Sequence, residues 1–336
     1  MIRIKDIARE AGVSPTTVSN VIHGNRKKVS GETVKRIEKL LKDREYIPSM
    51  GARMLAGGST RVIGILVAEP GGEKRCVEGH PFANILLRSL EREIYERNYY
   101  MLLHFTATPE EGIQFAATWN VEGLITIGFG TGDNLRLQGS CKVPIVSIDV
   151  YYDDERMANV GLDDKGGGAL MTKYLLDTGH RKIGFVADND VGVDHERWKG
   201  VCKAHEDYGV KDACVRHIII PEERRTRREY YRKYLAQLAS EYDALFFASD
   251  YYAVEAMAVL RDMGISVPED LSVAGFDDTE SAVMCRPLLT TVHQDVERKA
   301  EHAVRKLLAF IQGERKISMT ERLPVTLVLR DSVKNR

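Results

Sequence analysis

No run of about 18 apolar residues occurs in the 336-residue chain, so the sequence offers no candidate transmembrane helix. Its start, "MIRIKDIARE", lacks the apolar core of a secretory signal. The five cysteines, Cys76, Cys141, Cys202, Cys214 and Cys285, are odd in number and show no CxxC pairing, which fits reduced thiols in a cytosol. No GxSxG, HExxH or phosphate-loop lysine motif is present, and the nine histidines show no metal-ligand spacing. Internal repeats and low-complexity tracts are missing as well. These absences predict a soluble cytoplasmic protein that is not an enzyme and needs no metal or cofactor.

Two glycine-rich stretches come nearest to an enzyme signature. "GLITIGFGTGD" sets Gly128, Gly130 and Gly132 after a strand signal, with Asp149 about twenty residues on, as in a dinucleotide fingerprint. The third glycine is one position early, however, and "DNLRLQGSCK" reads as too short for a full crossover helix of about ten residues. Gly166, Gly167 and Gly168 follow Asp163 and Asp164 and open a helix, where they predict close packing of helix on strand rather than a phosphate site. His180 in "TGHRK" reads as a structural turn residue.

What is present is uneven in charge. Residues 1–61 hold thirteen Lys and Arg against six Asp and Glu, an excess of seven, while the whole chain is −1. A basic head on an acidic body is the asymmetry of a nucleic-acid binder, because phosphates reward positive charge regardless of base sequence. In that head, "IKDIAREAG" puts Ile4, Ile7, Ala8 and Ala11 on one helical stripe that stops at Gly12. "SPTTVSN" follows, with Ser14 as a cap and Pro15 preset for a first helical turn. A third helix begins after Ser30 and turns Val34, Ile37, Leu40 and Leu41 inward. Helix, tight glycine turn, helix is the spacing of a helix-turn-helix. The outward side chains of the second helix are small hydrogen-bonding ones suited to base edges, and Thr16 and Asn20 are the predicted readers. Pro15 is placed to pack on a thymine methyl.

Residues 47–60 are apolar but too short for a stable isolated helix, and "GGST" supplies a flexible joint. Beyond it, apolar runs such as "VIGILVA", "KIGFVA" and "LSVAGF" alternate with helical stretches such as "YYAVEAMAVLRDMG". That alternation predicts parallel sheets covered on both faces, and about 275 residues is too many for one sheet core. Two lobes and a cleft at the carboxyl ends of the strands follow.

Several motifs in order closely resemble the lactose/galactose repressor family (LacI–GalR). They are "IKDIAREAGVSPTTVSNVIHGNRKKVS", "YIPSMGARMLAGGST", "DTGHRKIGFV", "ERWKGV", "DLSVAGFDDTE", "PLLTTVHQD" and "LVLRDS". The resemblance covers the whole chain. It implies an all-α helix-turn-helix head over 1–46 and a hinge helix and linker over 47–60 that folds on operator DNA. The remainder, 61–336, is implied to be an α/β periplasmic-binding-protein-like body that binds an effector and dimerises. Two Rossmann-like lobes make up that body, one of about 61–161 and 291–321, the other of about 162–290 and 322–336, with the chain crossing near 161, 290 and 322. DNA contact is carried over to Ile4, Lys5, Ser14, Pro15, Thr16, Thr17, Ser19, Asn20, His23, Val29, Ser30, Thr33, Tyr46, Ser49, Ala52 and Leu55, with Lys28 a further phosphate contact. Leu55 matches the residue that pries open a central base step, and Pro48 starts the hinge helix. Gly51 departs from the larger apolar residue usual there, which lowers helix propensity by about 1 kcal/mol relative to Ala. For the effector, the resemblance points to Phe82, Asp149, Arg197, Ser249, Asp277 and Gln294, although Ser249 stands where many relatives carry Asn.

Arg donors beside Asp acceptors suit a polyol, so the expected effector is a sugar or sugar derivative. Arg224 or Arg225, if near the cleft, favours an anionic sugar. The chain is therefore expected to be a dimeric, nucleoid-associated repressor of carbohydrate-use genes on pseudo-palindromic operators. No heptad tail follows the last strand signal, which favours dimer over tetramer. The competing reading is a cytosolic sugar-binding or sugar-processing protein with an incidental basic head.

Overall fold

The computed structural model describes residues 2–22, 29–46, 59–69, 81–151, 157–209, 214–314 and 316–336. The chain divides into two compact units, Met1–Arg61 and Val62–Arg336.

In the first unit, α1 (Ile4–Ala11) stops where Gly12 takes φ +64° and returns its N–H to the Ala8 and Arg9 carbonyls. Helix α2 (Pro15–Ile22) starts behind Ser14, whose hydroxyl accepts the Thr17 N–H at 3.1 Å. Ser30 caps α3 (Gly31–Asp43) in the same way through the Thr33 N–H at 3.3 Å. Ile7, Ala8, Ala11, Val18, Val21, Val34 and Ile37 close a single core among the three helices. Full burial of each Val or Ile side chain is worth about 1.5–3 kcal/mol. Arg44 ties α3 to α1 with a forked pair to Glu10 at 2.9 and 3.1 Å. That pair is exposed and worth at most about 1 kcal/mol, so the core carries the head.

The body begins with β1 (Val62–Ala68), α4 (Pro81–Glu96), β2 (Tyr100–Thr106) and α5 (Pro109–Trp119). Then come β3 (Gly123–Ile127), α6 (Thr131–Ser140), β4 (Ile145–Ile148) and β5 (Asn159–Leu162). Helix α7 (Asp164–Asp177) leads into β6 (Lys182–Ala187), α8 (Gly192–Tyr208), β7 (Cys214–Ile219) and α9 (Arg224–Glu241). Next are β8 (Ala244–Phe247), α10 (Asp250–Asp262), β9 (Ser272–Asp277), α11 (Glu280–Met284) and β10 (Thr290–His293). Helix α12 (Val296–Ile311), β11 (Thr320–Leu323) and β12 (Thr326–Val328) finish the chain.

The strands form two six-stranded sheets, ordered β11-β5-β4-β3-β1-β2 and β12-β10-β9-β8-β6-β7. All pairings are parallel except β10 with β12. Central strands such as β3, β6 and β9 are buried along nearly their whole length, as sheets covered on both faces require. The chain passes from the first sheet to the second between β5 and β6, back after β10, and across again between β11 and β12. Strand β10 pairs with β9 as far as His293, so the middle passage follows 293 instead of 290, and the last follows 323 instead of 322.

One sequence expectation fails between β3 and β4. The crossover does hold a ten-residue helix, α6, because it starts at Thr131 and takes the glycine-rich segment into its first turn. Its buried Asn134 amide donates to the Phe129 and Gly130 carbonyls at 3.0 and 3.1 Å, which fixes that turn. The hinge positions Pro48, Gly51 and Leu55 lie outside the described residues.

Candidate ligand site and nucleic-acid interface

The candidate ligand residues sit at the carboxyl ends of strands, where open α/β sheets place their ligands. Asp149 follows β4, Asp277 ends β9, Ser249 follows β8 and caps α10, and Gln294 follows β10. Arg197 projects from α8. Asp149 and Asp277 both hold positive φ, +57° and +112°, a conformation that costs non-glycine residues energy and persists where the surroundings over-determine it.

Arg197 is the hub. Its Nε donates to Asp164 Oδ1 at 2.7 Å, its Nη1 donates to the Ala248 carbonyl at 2.5 Å, and its Nη2 lies 3.9 Å from Asp277. The guanidinium also stacks 3.6 Å from the centre of the Phe276 ring. Asp277 accepts from the Ser249 hydroxyl at 2.8 Å and the Gln294 amide at 2.5 Å. From Gln294 the network runs on to Lys299 Nζ at 2.9 Å, which holds both oxygens of Asp149 at 2.8 and 2.7 Å. Phe82 closes that end, with the Lys299 ammonium 5.0 Å from its ring centre. All six residues expected from the sequence thus fall along one polar network.

The structure adds members that the sequence did not single out. Lys299 is wholly buried, although "VERKAEH" reads as a solvated helix face. Asp164 shares its carboxylate between Arg197 and the Tyr151 hydroxyl. Asp194 lies 4.0 Å from Arg197, and its carboxyl is held well above the usual range by burial, opposed by Arg197 and reinforced by Asp188 beside it. The Asn189 amide donates to both carboxyls, at 2.8 Å to Asp188 and 3.1 Å to Asp194. Two adjacent carboxyls of this kind are strong hydrogen-bond acceptors. A groove of about 320 Å³ runs past Asp277 and Gln294 and is walled by Ile85, Thr279 and His293.

Other expectations resolve differently. Arg224 and Arg225 lie on the exposed side of α9, paired with Glu255 at 3.4 Å and Glu229 at 3.6 Å, and are not in this network. The glycine triplet opens α7, and its main close approach is helix on helix. A Cβ on Gly168 would lie 2.1 Å from the Arg197 carbonyl oxygen, and one on Gly200 would lie 1.9 Å from that of Lys165. Gly167 alone faces a strand residue, Phe276. His180 is buried, with Nδ1 against the Leu175 carbonyl at 3.0 Å and Nε2 against Ser272 at 2.8 Å, so it is structural. Trp198 packs against Phe185 and His217. Among the described residues no cluster of three His, Cys, Asp or Glu could hold a metal ion, and no helix is long and apolar enough to cross a membrane.

In the head, α2 buries Val18 and Val21 and leaves Pro15 and Thr16 exposed, with Thr17, Ser19 and Asn20 partly so. Lys5 is exposed on α1. Ser14 and Ser30 spend their hydroxyls on helix caps, and the Ser30 hydroxyl also donates to Thr33 at 2.8 Å. Ile4, Val29 and Tyr46 lean against the head core. His23, Lys28, Ser49, Ala52 and Leu55 lie outside the described residues.

Known proteins match both units. The family described as "Bacterial regulatory proteins, lacI family" matches residues 3–49, and a "Periplasmic binding protein-like domain" matches 172–333. The HTH-type transcriptional repressor PurR of Pasteurella multocida (strain Pm70) is 32% identical over 346 residues, spanning 100% of each chain. Among solved structures, the Lac repressor dimer bound to operator and the anti-inducer ONPF matches with TM-score 0.84 at 24% identity, covering 99% of each chain, a likeness of fold. The transcriptional regulator CelR in complex with cellobiose matches with TM-score 0.71 at 27% identity, over 99% of this chain and 100% of that one.

Proposed function

Because the chain belongs to the lacI family of bacterial regulatory proteins, which are DNA-binding repressors and not enzymes, we propose that it represses carbohydrate-use genes under control of a sugar or sugar derivative. The observation that carries the effector reading is the network centred on Arg197 and Asp277, with Asp149, Asp194 and Lys299 adjoining. A fork of donors beside several carboxylate acceptors matches the paired donor and acceptor character of vicinal hydroxyls. Phe82 supplies an apolar face of the kind a sugar ring stacks on. The cellobiose bound by CelR supports the same class.

The six effector residues named from the sequence act in this reading with Asp164, Asp194 and Lys299. In the head, Thr16 and Asn20 read base edges from α2 while Lys5 meets phosphate. The protein acts as a homodimer on a pseudo-palindromic operator, so its place of work is the cytoplasm, on the nucleoid. The exposed apolar side chains Ile85 and Tyr95 on α4 and Tyr100 at the start of β2 support a self-associating face.

A thermal-shift screen of the purified protein tests the effector class, using sugars, sugar acids and flat nitrogen heterocycles, followed by calorimetry on each hit. Stabilisation by a neutral sugar that also changes operator affinity is the expected result. Stabilisation by a heterocycle alone would sink the carbohydrate reading while leaving the repressor intact.

A further inference from the structure

Helix α9 carries cations where helix electrostatics disfavours them. Within Arg224–Lys233 stand Arg224, Arg225, Arg227, Arg228, Arg232 and Lys233 against Glu229 alone. The positive end of a helix dipole repels those in the first turn, Arg224, Arg225 and Arg227. Glu223 answers part of that repulsion: its carboxylate accepts from the Thr226 hydroxyl and from the Thr226 and Arg225 N–H groups at 2.7 and 2.8 Å, bonds that hold its pKa down to about 2.

Structure accounts for only some of these cations. Buried Arg227 donates to Glu255 at 2.7 Å and lies 4.6 Å from the centre of the Tyr252 ring. Arg225 keeps 88% of its side chain exposed and meets Glu229 at 3.6 Å. Arg228 and Arg232 are exposed and have no acidic partner among the described residues. Positions 225, 228 and 232 lie three and four apart, so the three guanidinium groups form one outward stripe about 10 Å long. Tyr230 and Tyr234, half-buried and 4.7 Å apart, lie on the other side of the helix's buried face, about half a turn from that stripe. Arg is among the side chains that interface cores favour, and its fork fits a carboxylate bidentately.

We propose that this stripe docks an acidic protein segment whose carboxylates meet Arg225, Arg228 and Arg232. Charge selects that partner over nucleic acid. Residues 62–336 hold 35 Lys and Arg against 43 Asp and Glu, so a long polyanion meets net repulsion over most of the body. A compact acidic segment, by contrast, meets the stripe alone within a screening length of about 8–10 Å.

The test uses the full chain with its head saturated by operator duplex. The probe is a fluorescein-labelled, glutamate-rich helical peptide read by anisotropy, against the parent and the triple variant Arg225→Gln, Arg228→Gln, Arg232→Gln. The parent should bind the peptide in a salt-dependent manner, and the variant about tenfold more weakly, with operator affinity and melting temperature unchanged. Equal binding by the two proteins, or no binding by the parent, overturns the proposal. So does a variant that loses affinity for non-operator duplex while keeping the peptide.

Discussion

Arg197 stands between Asp164, Asp194 and Asp277 with almost no access to water, so its side chain serves stability and recognition at once. Burial alone would lower its pKa, but the three carboxylates more than compensate and leave it raised. Arg197→Ala strands those acids in a low-dielectric interior, a change that typically costs about 3–5 kcal/mol. We expect a matching drop in the denaturation midpoint, together with loss of effector response and retention of operator binding. Undiminished effector affinity in calorimetry would remove Arg197 from the site. His180 sets a second residue-scale expectation, through pH. Burial, the largest influence on it, depresses its pKa below the ordinary histidine value. The unfolded chain therefore binds the proton first as pH falls, and stability present above about pH 6.5 is lost as pH drops through the folded-state pKa. His180→Asn should flatten that acid limb in a series of thermal melts. A slope equal to the parent's places the acid sensitivity elsewhere.

At the scale of elements, α7 and α8 meet through Gly168 and Gly200, each filling a space bounded by the other helix's backbone. Backbone oxygens about 2 Å from an added Cβ have no rotamer to escape into, so Gly200→Ala must push the helices apart. Overpacking of this kind costs about 1–3 kcal/mol, and here it also shifts Arg197 on α8. Reduced stability with weaker effector binding is expected, and a crystal structure of the variant with unmoved helices would contradict it. Helix α2 carries a separate expectation: Asn20→Ala should cost about 1–3 kcal/mol on the preferred operator and spare non-specific binding. An operator-selection experiment that returns an unchanged consensus would release Asn20 from base reading. These elements were not equally legible in sequence. The runs "VIGILVA" and "KIGFVA" announce β1 and β6 because strands covered on both faces need unbroken apolar, β-branched residues. Strand β5 is four residues long, and β7 is an edge strand whose "CVRHII" mixes exposed and half-buried positions, so neither carries that signal. Arg197 and Asp277 stand out within motifs that resemble the family's, and Asp149 stands out at the end of a strand signal. Lys299 does not, since a cation in "VERKAEH" has the local pattern of a surface residue and only the fold buries it.

For the whole molecule, control of operator affinity means a coupling free energy between head and cleft, typically about 1–3 kcal/mol. Linkage makes it reciprocal: whatever factor the effector imposes on operator affinity, operator must impose on effector affinity. Titrating each ligand in the absence and presence of the other should return the same factor of about 5–150. Unequal factors would mean that a further equilibrium, such as dimer dissociation, takes part, and sedimentation at the titration concentrations would expose it. The threading of the body has a temporal side. The first sheet is not complete until β11 and the second not until β12, so one lobe lacks a strand until residue 323 has been made and the other until residue 328. The head, in contrast, closes its core among residues 7–37. At ribosomal rates of roughly 5–20 residues per second, the intervening stretch takes about 15–60 s to synthesise. For that interval each nascent chain carries a DNA reader with no finished cleft to govern it, and only one copy of that reader. On the two-fold operator proposed above, a lone head holds one half-site, so the pairing that would give the finished repressor its grip would also keep the unfinished one from acting unregulated.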